Sequence, residues 1–152
     1  MKRNELLQAG ELAGASVQCQ ANLRHRILVV DEDSDIRLLY TNALSYYGCQ
    51  VDVVKDGAAG WEALQANNYN LLITEHRLPR LTGVELVRKL RAAHMAMPVV
   101  MTAVQLPMQE LARDPSLQLA AMLPKPFYIS ELLETVTDVL GQAGCDRLPL
   151  GP

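Results

Sequence analysis

Apolar and polar positions along this chain switch repeatedly between two periods. Short runs rich in apolar and β-branched residues fall at 26–31 (RILVVD), 49–54 (CQVDVV), 70–74 (NLLIT), 98–103 (PVVMTA) and 119–123 (LAAML). Most are almost continuously apolar, the pattern of strands buried on both faces. Between them the spacing changes to three and four. Residues 34–47 place Ile36, Leu39, Ala43, Leu44 and Tyr47 on one helical face. Asp33 or Ser34 is the expected N-cap, and Gly48 the left-handed stop. Asp56-Gly57 is a turn, after which Trp61, Leu64 and Gln65 continue a helix to about Asn67. Thr82-Gly-Val-Glu85 reads as a capping box for a helix to about Ala93. Pro107 and Pro115 leave room for a short helix only, about 107–113. Residues 128–140 put Ile129, Leu132, Leu133, Val136 and Leu140 on one face.

Five strand–helix units of this kind predict an α/β fold. A parallel sheet is covered by helices on both faces. Right-handed crossovers favour a doubly wound five-stranded sheet, with order 2-1-3-4-5 as one common solution. Residues 26–140 form the expected domain, residues 1–25 an N-terminal extension and residues 141–152 a C-terminal tail. In such sheets the functional site lies beyond the carboxyl ends of the strands.

Composition narrows the class. The chain has 152 residues, enough for one domain with a sizeable core. Hydrophobic residues make up 49% and charged residues 20%, a soluble globular mix. The net charge of −3, with no basic block, argues against direct nucleic-acid binding. No apolar run approaches the ~18 residues of a membrane span. Glu5, Gln8, Gly10 and Glu11 break up the amino-terminal stretch, which makes it a poor signal peptide. Cys19, Cys49 and Cys145 lie far apart and read as reduced thiols of a cytoplasmic protein. His25, His76 and His94 show no metal-ligand spacing.

The strand tips carry the candidate chemistry. Strand one ends in Asp31, Glu32 and Asp33, strand three in Glu75, strand four in Thr102 and strand five in Lys125-Pro126. Singly, Asp33 is a helix cap, Thr102 a turn residue and Lys125 a solvated charge. Together they place carboxylates, a hydroxyl and a lysine around one cleft. The carboxylates would repel each other unless a lysine or a hard divalent cation neutralised them. Mg²⁺ takes such oxygen ligands, and a phosphoryl group completes the set.

The stretches ILVVDEDSDIRLL, DGAAGWEAL, LLITEHRLPRLTG, PVVMTA and LPKPF resemble the receiver domain of two-component response regulators. The resemblance covers about 26–140 and implies the flavodoxin-like receiver fold. It also implies transfer of a phosphoryl group from a histidine kinase to an aspartate, with Mg²⁺. By that likeness Asp31 and Glu32 fall on the acidic metal-binding pair. Thr102 falls on the switch hydroxyl and Lys125 on the phosphoryl-binding lysine. The Lys125–Pro126 bond is expected to be cis, a form that costs only ~0.5–1 kcal/mol before proline.

The pattern breaks at several positions. The phosphoacceptor position, four residues before Pro79, holds Glu75. Its carboxylate lies one methylene further out than that of aspartate, on the order of 1.5 Å. In-line transfer depends on position, and a 1 Å misplacement can cost ~10²-fold. Glu32 stands where the family has aspartate as the direct metal ligand. Arg77 stands where a backbone carbonyl would meet Mg²⁺, and its guanidinium is a candidate substitute for the cation. Met122 occupies the aromatic-switch position, and Gln118-Leu119 replaces the usual Gly-Ala.

These departures point to a phosphorylation-independent pseudo-receiver, not an enzyme, in which Mg²⁺ binding is doubtful. Glu75 partly imitates a charged acceptor, with one negative charge against nearly two. The alternatives are a phosphorylation-competent, Mg²⁺-dependent receiver and a flavodoxin-like nucleotide binder or small enzyme. The last has no G-x-G-x-x-G or P-loop behind it. With no residues after 152, the expectation is a stand-alone receiver that signals by protein–protein contact to a histidine kinase or another signalling protein. The expected surface is helix 4, strand 5 and helix 5, with Leu106, Met108, Leu111 and Met122. Leu6, Leu7 and Leu12 are weaker candidates for a docking helix, because the nearby glycines favour disorder.

Overall fold

The computed structural model describes residues 25–142, so most of the expected extension, with Leu6, Leu7 and Leu12, and nearly all of the tail lie outside the described residues. The elements run β1 (Arg26–Val30), α1 (Ser34–Tyr46), β2 (Gln50–Val54), α2 (Gly57–Ala66), β3 (Leu71–Glu75), α3 (Gly83–Ala92), β4 (Val99–Ala103), α4 (Met108–Arg113), a 3₁₀ turn (Pro115–Leu117), β5 (Ala121–Pro124) and α5 (Ile129–Gln142). The five strands form one parallel sheet in the order β2-β1-β3-β4-β5.

Alternation along the strands separates two cores. Ile27, Val29, Leu71, Ile73 and Val100 face α1 and α5, where Tyr40, Leu44, Leu132, Val136 and Leu140 meet them. Leu28, Val30, Leu72, Val99 and Met101 face the other side, against Leu64, Val84, Val87, Leu90 and Leu117. The strands β3 and β4 are buried throughout, whereas the edge strands β2 and β5 are partly exposed. Central strands therefore read as apolar runs and edge strands alternate.

Local chemistry sets the helix ends. Of the two candidate caps, Asp33 accepts from the N–H groups of Asp35 and Ile36 and starts α1. At the other end Cys49 N–H donates to Leu44 O and Gly48 N–H to Ser45 O. Gly48 has φ +91°, so this is a Schellman stop that only glycine adopts freely. Thr82 and Glu85 form both bonds of the capping box on α3. The short α4 has no side-chain cap and buries none of its residues completely.

Strand five begins at Ala121, two residues later than the apolar run predicts. Gln118, at φ +49°, turns the chain out of the 3₁₀ segment and delays pairing. Helix α5 continues to Gln142, past the expected end at 140. Cys49 is a buried free thiol, and burial pushes its pKa up to about 11. No helix among the described residues is long and apolar enough to cross a membrane.

Candidate functional site

Sheet register brings the strand tips together. Val30 pairs with Thr74, which sets Asp31 beside Glu75. Glu75 pairs with Thr102 on its other side. Ala103 pairs with Pro124, and Lys125 N–H donates to Ala103 O at 2.8 Å. Asp31, Glu32, Asp33, Glu75, Arg77 and Lys125 line one cavity of about 540 Å³, with Val104 and Gln105 on its wall. The Lys125–Pro126 peptide is cis.

Two carboxylates meet in this cavity almost out of water: Asp31 is 2% exposed and Glu75 8%. A buried charge needs a partner, and Lys125 serves both. Its ammonium lies 3.0 Å from Asp31 Oδ2 and also donates to Glu75 Oε1. Burial by itself pulls a lysine pKa down. Here the hydrogen bonds to Glu75 and Asp31, with their negative charges, outweigh burial and hold Lys125 above its ordinary value.

Main-chain donors take the other carboxylate oxygens. Asp33 N–H reaches Asp31 Oδ1 at 2.9 Å, and Arg77 N–H approaches Glu75 Oε2 at 3.4 Å. Arg77 thus lines the cavity and contributes its backbone. Its exposed guanidinium makes none of the ion pairs among the described residues. Glu32 is exposed at the rim. Met122 is 38% exposed on β5 and pairs in register with Met101.

Two residues of the site escape a reading by strand tips. Arg37, one turn into α1, donates to the carbonyls of Asp31 (2.6 Å) and Glu32 (3.0 Å), pinning the acidic loop. Its position four after the Asp33 cap was the available signal. Tyr40 lies beneath the pocket, 1% exposed. Burial first, then the charges of Asp31 and Glu75, push its phenol pKa far up, against a smaller opposing effect of Thr102. The hydroxyls of Tyr40 and Thr102 are both buried without a hydrogen bond of ordinary geometry. Such a group costs about 1–3 kcal/mol. The signal for Tyr40 was its four-residue spacing from Ile36 and Leu44.

The acids do not fit a divalent cation as they are arranged. Mg²⁺ demands near-octahedral oxygen ligands at about 2.0–2.1 Å. All four oxygens of Asp31 and Glu75 already face N–H or ammonium donors. Among the described residues no group of three His, Cys, Asp or Glu side chains is placed to hold a metal ion.

A second cleft, of about 580 Å³, lies at the opposite edge of the sheet and includes Arg91. Arg91 donates to the carbonyls of Leu117, Met95, Met97 and Gln118. Those donors are spent on stitching loops together, which leaves the strand-tip cavity as the chemical centre.

An order 2-1-3-4-5 sheet with an acid pair, an acid at the third strand tip, a hydroxyl at the fourth and a lysine at the fifth defines a receiver. The chain belongs to the response regulator receiver domain family of two-component signalling, whose model matches residues 27–137. It is similar to response regulator MprA of Mycobacterium sp. (strain KMS), 29% identical over 127 residues, covering 84% of this chain and 55% of that protein. MprA of Mycobacterium ulcerans (strain Agy99) is 30% identical over 115 residues, covering 76% and 50%. The chain thus spans about half the length of the curated relatives it matches. Among solved structures, the non-phosphorylated HemR receiver domain of Leptospira biflexa is 25% identical with a TM-score of 0.71, covering 77% of this chain and 94% of that one. The receiver domain of Francisella response regulator 1452 has a TM-score of 0.72 at 23% identity, covering 79% and 99%. Thermotoga maritima TrrA, solved in complex with Mg²⁺ and BeF, has a TM-score of 0.67 at 23% identity, covering 76% and 98%.

Proposed function

We propose that this receiver domain works as a phosphorylation-independent pseudo-receiver, a signalling module and not an enzyme. The observation that carries the reading is the Lys125 ammonium bound to both Glu75 and Asp31. In a phosphorylated receiver the lysine would meet a phosphoryl oxygen. Here the glutamate carboxylate spans that distance and supplies a permanent negative partner. The extra methylene that spoils in-line attack is the one that lets Glu75 reach the lysine.

Signal leaves by protein contact, and the face formed by α4, β5 and α5 is the proposed surface. Met108 (55% exposed), Met122 and Tyr128 (80% exposed) support it, and methionine suits adaptable binding. Leu106 and Leu111 are half-buried, and Leu111 packs on the core. The partner is a histidine kinase or another cytoplasmic signalling protein, not nucleic acid.

A second reading, Mg²⁺-dependent phosphorylation of Glu75, draws on the cavity of about 540 Å³ beside the carboxylate. Trp61 fluorescence separates the two. Under the pseudo-receiver reading, titration with Mg²⁺, with or without acetyl phosphate, leaves it flat. A saturable response that needs both would favour the second reading. The variant Glu75→Asp restores the shorter acid and is expected to take up more phosphate from acetyl phosphate than the wild type.

A further inference from the structure

Tyr40 and Thr102 come from different elements, α1 and β4, and meet under the pocket. Thr102 lies two residues beyond Val100, which shares a core with Tyr40, so both fall on the α1–α5 face of the sheet. Thr102 is 0% exposed, and its hydroxyl and that of Tyr40 are the two groups left without an ordinary hydrogen bond there. The Tyr40 ring stacks on Phe127, with centroids 6.3 Å apart and planes at 22°. Phe127 follows the Lys125-Pro126 pair directly. One side chain therefore touches the chain next to the bridging lysine, and it faces the threonine that pairs in register with Glu75.

The β5 switch position offers neither a ring nor a hydroxyl. Met122 fills it, and by strand alternation it points to the opposite face from Ala121 and Leu123, which pack with Tyr40. We infer that Tyr40 is the positioning residue that replaces this switch: its hydroxyl sets the Thr102 rotamer, and its ring ties that rotamer to Phe127 and α1. The physics is a choice between few states. A β-branched threonine has a short menu of rotamers, and a buried hydroxyl without a partner is unfavourable. Thr102 turns toward the Glu75–Lys125 pair or toward the phenol, so a change at the pocket is felt by Tyr40.

This adds a second face, α1 with residues 125–129, to the α4–β5–α5 surface. An apolar cleft of about 190 Å³ borders it, with Ile36, Leu39 and Phe127 on its walls. The inference goes beyond the proposed function and holds whether or not Glu75 takes a phosphoryl group.

The test is NMR on the full chain, with Glu75→Gln as the pocket perturbation. With Tyr40 present, this variant is expected to move the resonances of Thr102, the Tyr40 ring, Phe127 and the α1 amides. In a Tyr40→Phe background the shift at Thr102 persists while the shifts at Phe127 and α1 disappear. Phenylalanine keeps the ring, so a packing role alone would leave those shifts intact. Equal responses at Phe127 and α1 in both backgrounds overturn the inference, as does an unmoved Tyr40 ring in the first. Thr102→Val is the independent check, and an undiminished Phe127 response to Glu75→Gln there is equally fatal. Phosphate uptake is measured separately, so its outcome does not touch this one.

Discussion

Lys125 carries the electrostatics of the pocket. Removing it leaves Asp31 and Glu75 buried side by side without a counter-charge. Breaking a buried pair costs about 3–5 kcal/mol, and the partial exposure of this lysine puts Lys125→Met near the lower value. Urea unfolding measures it, and Glu75→Gln in the same chain is expected to recover part of the loss because one charge is gone. The pH dependence has a definite sign. The folded-state pKa of Lys125 is raised above its unfolded value near 10.5. Its stabilisation is therefore complete below pH 10.5 and fades as pH rises through the folded value. The gap in urea midpoint between wild type and Lys125→Met should narrow above that pH. Which cation neutralises the acids was not legible from spacing, because Arg77 and Lys125 both border the cavity. The Arg77 N–H already faces Glu75, and the guanidinium is left to solvent.

Elements were legible where the local code is complete. The capping box at Thr82–Glu85, the Schellman glycine and the β-branched runs each name their own boundary. Strand five was less so, because alanine and leucine at 119–123 set no sharp start and a left-handed Gln118 decides it. Two glycines test this level. A Cβ at Gly48 meets nothing within 4 Å, so Gly48→Ala should cost only the left-handed penalty of roughly 1–2 kcal/mol. A Cβ at Gly83 would lie 2.5 Å from Glu75 O and 2.8 Å from His76 Cα. Neither atom belongs to a flexible side chain, so α3 must move off β3. Gly83→Ala should therefore lower the thermal midpoint more than Gly48→Ala and displace Glu75 from Lys125. A thermal scan and the Lys125 NMR signal read the two effects.

At the scale of the molecule, parallel strands and right-handed crossovers left few arrangements, and the sheet order followed from them. The same rule gathered the strand-tip residues into one cavity before any coordinates were needed. Arg37 and Tyr40 stayed hidden because they reach the site from inside a helix, where their spacing reads only as packing. The result is a receiver whose phosphoacceptor position, acid pair and lysine are already tied together. The most direct measurement is intact-mass spectrometry of the wild-type chain after incubation with acetyl phosphate and Mg²⁺. The account predicts an unchanged mass. A labile phosphoryl adduct on Glu75 in most molecules would contradict it.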